Sequence, residues 1–194
     1  MIYLLRHGQT AFNAERRMQG HMDTPLNARG VQQAAAMGAL LRGLIPDPAG
    51  WRIVASPLMR AHDTARAVGQ ALGLEVETDR RLIEVTVGEW EGRLLDDVAA
   101  EEPELFKSRQ WFFHAPGGET YDQMAGRIGA WLGELPAERD RKVIAVCHGV
   151  TSRVLRGLYL GLSAHDALQQ DVPQDAIYRM AGGALERLDC EPVG

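Results

Sequence analysis

Three short apolar runs each end in residues that can hold an anion. Residues 2–5 lead into Arg6-His7-Gly8, residues 51–55 into Ser56-Pro57 and then Arg60, and residues 143–147 into His148-Gly149. In an open α/β sheet, ligands bind beyond the carboxyl ends of the strands. Three separated segments would therefore deliver two arginines and two histidines to one edge. A single histidine or arginine in such a place is usually structural, so the signal is the coincidence at three strand ends. Arg60 lies near the positive end of its expected helix, where a cation is disfavoured by about 0.3–1 kcal/mol. An anion held between Arg60, Arg6 and that helix terminus reverses the penalty. Charge-assisted hydrogen bonds of about 1.5–3 kcal/mol each make the arginines the larger contribution. Phosphate is the anion expected, because its oxygens match the guanidinium fork.

The elements that must position these groups follow from spacing. The three runs are apolar throughout and rich in Ile, Val and Leu, as expected of strands buried on both faces of a parallel sheet. Between them lie stretches with helical spacing. Over residues 28–44, Val31, Ala34, Ala35, Gly38, Leu41 and Leu44 form one stripe. Residues 58–72 repeat the pattern, with Ser56 read as the N-cap and Pro57 as the first helical position. Residues 121–135 and 150–160 are also helical by spacing, and residues 177–180 and 184–188 read as a closing hairpin through Gly182-Gly183. The fold class is α/β, with three α/β/α layers around a mainly parallel sheet and right-handed crossovers. Residues 81–116 fit this regularity poorly. They are expected to be a helical insertion over the strand ends, within a single domain spanning 1–194, since about 35 residues bury too little to fold alone.

Composition bounds the rest. With 194 residues, 45% hydrophobic and 24% charged, the chain can bury roughly 70% of its unfolded surface. Disordered and cysteine-stapled classes are excluded. No apolar run approaches the roughly 18 residues of a membrane span, and the first five residues are too short for a signal-peptide core, so a cytoplasmic protein is expected. The net charge of −5 argues against a nucleic-acid partner, which needs a surplus of Lys and Arg. Cys147 and Cys190 form no paired spacing and read as reduced thiols. The fragments His21-Met22-Asp23 and His62-Asp63 are not completed into a metal site, and His62, His114 and His165 read as ordinary structural residues.

Leu5-Arg6-His7-Gly8-Gln9-Thr10, Asn13, Gln19-Gly20, Asp23-Thr24-Pro25-Leu26, Ser56-Pro57-Leu58-Met59-Arg60-Ala61, Thr64-Ala65 and Cys147-His148-Gly149 together resemble the histidine phosphatase superfamily, in its phosphoglycerate mutase-like branch. The resemblance runs nearly end to end, with the motifs in the family's order. It implies a phosphoglycerate mutase-like fold and His7 as nucleophile, forming a phosphohistidine. Arg6, Arg60 and His148 would hold the phosphoryl oxygens, and Asn13, Gln19, Gly20 and Gly149 would complete the cradle. His7 must be neutral to attack, and Arg6 and Arg60 as like charges favour that form. Which ring nitrogen attacks is left open. Glu84 matches the family's general acid by its place before Gly88-Glu89-Trp90-Glu91-Gly92, and an anion beside it favours its protonated form. Glu89 and Glu91 read as exposed or capping carboxylates, and Glu119 as a capping residue. No metal or cofactor is implied.

Mutases of the family carry a basic residue directly after the acid, where this chain has Val85. The insertion holds few cations: Arg81, Arg93, Lys107 and Arg109. Water is then the expected acceptor, making the protein a phosphomonoesterase for small phosphorylated metabolites. A cofactor-dependent phosphoglycerate mutase and an α-ribazole phosphatase-type activity are the alternatives, and a non-catalytic phospho-ligand module is the alternative from another class. Cys147 to Arg153 also has the C-x5-R spacing of cysteine-based phosphatases, a route that would leave Arg6, His7 and Arg60 idle. Trp111, Phe112 and Phe113 are either core or substrate entrance. The helix stripes leave homo-oligomer formation open.

Overall fold

Alternation along the first strand sorts its side chains between two cores. Ile2 and Leu4 pack on one face, and Tyr3 and Leu5 on the other, all within a few per cent of full burial. The computed structural model describes residues 1–108 and 110–192. In chain order the elements are β1 (Ile2–Arg6), α1 (Ala11–Ala14), α2 (Ala28–Leu44), β2 (Arg52–Ala55), α3 (Met59–Leu72), β3 (Val76–Thr78), α4 (Leu95–Glu101), α5 (Tyr121–Gly133), β4 (Val143–Cys147), α6 (Gly149–Leu160), α7 (Ala164–Gln169), β5 (Ala176–Ala181) and β6 (Ala184–Asp189). The sheet has six strands in the order β3-β2-β4-β1-β5-β6. Strands β1 to β4 are mutually parallel, β5 runs antiparallel to β1, and β6 runs antiparallel to β5. Met37 and Leu41 of α2 and Val68 and Leu72 of α3 cover one face. Met124, Ile128 and Trp131 of α5 and Val150, Val154 and Leu155 of α6 cover the other. This is the expected three-layer α/β architecture.

Strand register gathers the site. Arg6 pairs with Cys147 across β1 and β4, so the next residues, His7 and His148, leave the sheet side by side. Ala55 pairs with Val146, which brings Ser56 to the same level. Because β5 is antiparallel to β1, with Ile177 opposite Leu5, its first residues also lie at this edge.

Two local expectations change. Helix α3 begins at Met59, and its N-cap residue, Leu58, makes no side-chain cap bond. Asp23 instead accepts the Met59 N–H at 2.7 Å. Ser56 is therefore not the N-cap residue: its hydroxyl oxygen accepts the Leu58 N–H at 3.3 Å, just ahead of the helix, and meets His148 Nε2 at 2.7 Å. Glu119 does not cap α5 either. Thr120 does so in a capping box with Gln123, while Glu119 receives Arg127 through both carboxylate oxygens, at 2.6 and 2.7 Å. The 81–116 segment is α4 together with short 3-10 turns, and Val85, Val87, Trp90 and Val98 anchor it in the same core as α5 and α6. Among its cations, Arg81 pairs with Asp79 and Glu134, Arg93 with Glu101 and Lys107 with Glu104. Arg109 lies outside the described residues.

Candidate active site

A cavity of about 330 Å³ opens at the strand ends, within the range of a small-metabolite pocket. Arg6, His7, Asn13, Gln19, Gly20, Arg60, Glu84 and Gly149 all line it. His148 is fully buried beside His7, with ring centroids 5.1 Å apart. The nine residues singled out from the sequence are thus brought to one place.

The histidines are chemically distinct. His7 Nδ1 lies 2.7 Å from the Gly8 carbonyl oxygen. A carbonyl only accepts, so Nδ1 carries the proton and Nε2 the free lone pair. Burial, then the Arg60 and Arg6 guanidiniums, hold the imidazole well below its usual range, which keeps it neutral. His148 is held down in the same direction by burial, then by Arg60, His7 and Arg6. Its Nε2 meets the Ser56 hydroxyl at 2.7 Å.

The arginines are fixed by carbonyls. Arg6 Nη1 donates to Val172 at 2.6 Å. Arg60 donates from Nη1 to Met22 at 2.9 Å and from Nη2 to Gly20 at 2.8 Å. Arg6 Nε, Arg60 Nε and His148 Nδ1 are the buried side-chain N and O atoms without a hydrogen-bond partner among the described residues. An unpaired buried donor costs on the order of 1–3 kcal/mol, more when charged. The Ser56 oxygen already accepts the Leu58 N–H, and with its hydroxyl donated to His148 Nε2 the Nδ1 carries the proton. The three atoms thus form a set of donors suited to an anion.

The amides are turned into donors by their neighbours. Asn13 Oδ1 accepts from the Thr10 N–H and from Gln174 Nε2, and Gln19 Oε1 accepts from the hydroxyls of Thr10 and Thr24. The NH₂ groups are what these side chains can offer a ligand. Glu84 sits at the N-terminus of α6, where its carboxylate accepts the N–H groups of Val150 and Thr151, both at 3.1 Å.

Several supporting residues were given no role from the sequence. Thr64 accepts the Gly8 N–H and donates to the Arg60 carbonyl, linking α3 to the loop behind His7. Gln174 also reaches the His7 carbonyl at 3.0 Å. Arg127 ties down the carbonyls of Arg81 and Ile83 just before Glu84. The signal for Val172 and Gln174 was present: an antiparallel hairpin beside β1 must begin at the edge where β1 ends.

Glu91, expected to be exposed or capping, is partly buried beneath the loop 19–22. Trp111 and Phe112 line the cavity and also pack on the core, while Phe113 makes an edge contact with Tyr121. Further cations reach the cavity from outside the insertion: Arg16, Arg17 and Arg153. Cys147 is fully buried, and desolvation pushes its thiol far up, so no thiolate is available for the cysteine route. Among the described residues no group of three or more His, Cys, Asp or Glu could hold a metal ion, and no helix is long and apolar enough to cross a membrane.

Residues 2–183 match the histidine phosphatase superfamily (branch 1). A Salmonella paratyphi C protein named probable phosphoglycerate mutase GpmB is 37% identical over 170 residues, covering 84% of this chain and 76% of that protein. Mycobacterial glucosyl-3-phosphoglycerate phosphatase, solved in complex with VO3, superposes with a TM-score of 0.77 at 31% identity, covering 92% of this chain and 90% of that one. Bacillus stearothermophilus YhfR gives a TM-score of 0.79 at 27% identity, covering 97% and 95%.

Proposed function

The chain belongs to branch 1 of the histidine phosphatase superfamily, and on that premise we propose that it hydrolyses small phosphomonoesters through a phosphohistidine on His7 Nε2. The observation that carries this reading is the trio of unpartnered buried nitrogens on Arg6, Arg60 and His148, a ready set of donors beside an unprotonated imidazole nitrogen. The Nε2 lone pair attacks phosphorus as the bond to the ester oxygen breaks, and Glu84 gives that oxygen its proton. Arg6, Arg60 and His148 bind the phosphoryl oxygens, with Asn13, Gln19 and the Gly20 and Gly149 backbone completing the cradle. In the second step water attacks phosphorus, Glu84 takes its proton, and the N–P electron pair returns to Nε2. The guanidiniums supply the positive charge, so the reaction is expected to run with a chelator present. Two free thiols, Cys147 and Cys190, fit a cytoplasmic setting.

The test is trapping of an acid-labile, radiolabelled phosphoenzyme with chelator present. Wild type should accumulate label and His7→Ala should not. Label surviving in the alanine variant overturns the reading. A mutase reading is favoured by one observation, the Arg16, Arg17 and Arg153 side chains at the cavity, which could retain a second anionic group. Against it, no described cation of the insertion lines the cavity, and Val85 follows the acid. Net release of inorganic phosphate in the presence of excess 2- and 3-phosphoglycerate supports hydrolysis, whereas interconversion of the two supports the mutase.

A further inference from the structure

Resting on that phosphoryl-transfer reading, we propose that Glu91 is a positioning residue, holding the loop 19–22 and through it the Arg60 guanidinium and the Glu84 backbone. Glu91 does not line the cavity, so it acts through other groups. One carboxylate oxygen, Oε1, accepts two donors from different segments: the His21 N–H at 2.9 Å and the Thr86 hydroxyl at 2.7 Å. Gly20 lies directly on this carboxylate. Its φ of +51° is left-handed, and a Cβ there would collide with the Glu91 side chain. The loop is pressed onto Glu91 as closely as backbone permits.

Every residue from 20 to 22 then passes this placement to the site. The Gly20 and Met22 carbonyls take both Nη groups of Arg60, and His21 Nε2 meets the Glu84 carbonyl at 2.8 Å. With one N–H of each Nη group committed to the loop, Arg60 keeps its buried, unpartnered Nε and the second N–H of each Nη for a ligand. The loop therefore sets the direction in which Arg60 faces phosphorus. Backbone bonds from Gly92 N–H to Met18 O at 2.8 Å and from Met18 N–H to Arg93 O at 2.9 Å fix one end of the loop, and Asp23 on the Met59 N–H fixes the other. Met22 N–H closes onto Gln19 O at 2.8 Å, and Glu91 holds the middle, at the His21 N–H. A shift of about 1 Å in a positioned group can cost on the order of 100-fold in rate.

The experiment compares steady-state hydrolysis of p-nitrophenyl phosphate, inhibition by inorganic phosphate, and melting temperature across a small set of full-length variants. Glu91→Ala should lower kcat/KM by about 10- to 100-fold and weaken phosphate inhibition. Glu91→Gln, whose amide oxygen can still accept both donors, should return to within about threefold of wild type. In an Arg60→Ala background, adding Glu91→Ala should cost several-fold less than it does in wild type, because the Arg60 guanidinium is already gone and only the tie through His21 to the Glu84 carbonyl remains. Full kcat/KM in Glu91→Ala, a Gln variant as impaired as the Ala variant, or losses that multiply in the double variant would each overturn the proposal. A role confined to general stability would give multiplied losses. If Glu91→Ala does not fold, Thr86→Val is read in its place: it should lose several-fold in activity alone and little in the Arg60→Ala background, and unchanged activity overturns the proposal. His7→Ala is the control for the premise. Turnover surviving in that variant defeats the phosphohistidine reading, whatever Glu91 does.

Discussion

His7, Arg60 and His148 are buried to within 2% of completely, while Trp111 and Phe112, which also line the cavity, keep part of their surface open. The sheet-edge wall is held by strand register, by carbonyls on each guanidinium and by Thr64 and Gln174 behind the nucleophile. The cover is held mostly by rings on rings: Phe106 stacks on Trp111 at 4.5 Å, and Trp111 meets Phe112 at 3.7 Å. Directional bonds fix angles, whereas ring contacts tolerate small slides. On the proposed reading, one wall serves chemistry that requires fixed geometry, and the other accommodates what the phosphate is attached to.

The sharpest way to break this contrast is at His7, the proposed nucleophile. His7→Ala should reduce kcat by on the order of 10⁴-fold or more, the scale of losing a covalent nucleophile, with phosphomonoester turnover as the measurement. Cys147→Ser, on the neighbouring strand end, should stay within about twofold, since a buried thiol pushed far up cannot supply a thiolate. Equal losses in the two variants would mean that the sheet edge matters as packing, not as chemistry.

The sheet-edge wall was also the legible one. The apolar runs ending in Arg6-His7, Ser56 and His148-Gly149 announced both the strands and the polar residues beyond them, because strands buried on both faces have little choice of composition. The Ser56 expectation was displaced rather than empty: its hydroxyl takes the Leu58 N–H, but the helix starts at Met59, whose N–H is taken by Asp23 from far along the chain, and nothing local records that. Glu91 and Glu119 failed for a related reason. A carboxylate near a turn reads as a helix cap or as surface until one knows that His21 and Thr86, or Arg127, fold onto it. The cover stayed vague because its 3-10 turns carry no periodicity of 3.6 or 2 to detect.

Acid separates the two walls more gently. Both buried histidines are held well below their ordinary 6.5. Below that pH the unfolded chain takes up protons that the folded chain refuses, so the unfolded state binds more protons and stability rises with pH. Folding free energy should therefore fall as pH drops from about 6.5 toward the folded values, with a slope approaching about 1.4 kcal/mol per pH unit for each histidine. Carboxylates held low by arginines, such as Glu77 and Asp79, unload only further down, near or below their ordinary 4.5 and 3.8. Denaturant midpoints at pH 7.5, 6.5 and 5.5 measure the slope, and His148→Asn should reduce it by about half. His7 stays neutral in the same window, so turnover by the folded fraction should hold while stability falls. A flat stability profile would show that burial of the imidazoles is not what keeps them neutral.

The smallest effect belongs to the cover. Phe112 touches the cavity, lies against Trp111 and sits 6.0 Å from the Arg153 guanidinium. It has no part in the bonds that orient Arg6, His7 or Arg60. Removing the ring should cost a ring contact of about 1 kcal/mol, roughly fivefold in binding. The loss should fall on KM for phosphomonoesters with a bulky leaving group, since a contact made equally in ground and transition states leaves kcat alone. Small esters and inorganic phosphate should bind Phe112→Ala as they bind wild type. The measurement is the ratio of KM values for a bulky and a small ester in the two proteins. If phosphate inhibition weakens along with KM, the cover helps to place the phosphoryl group, and the division of labour between the walls gives way.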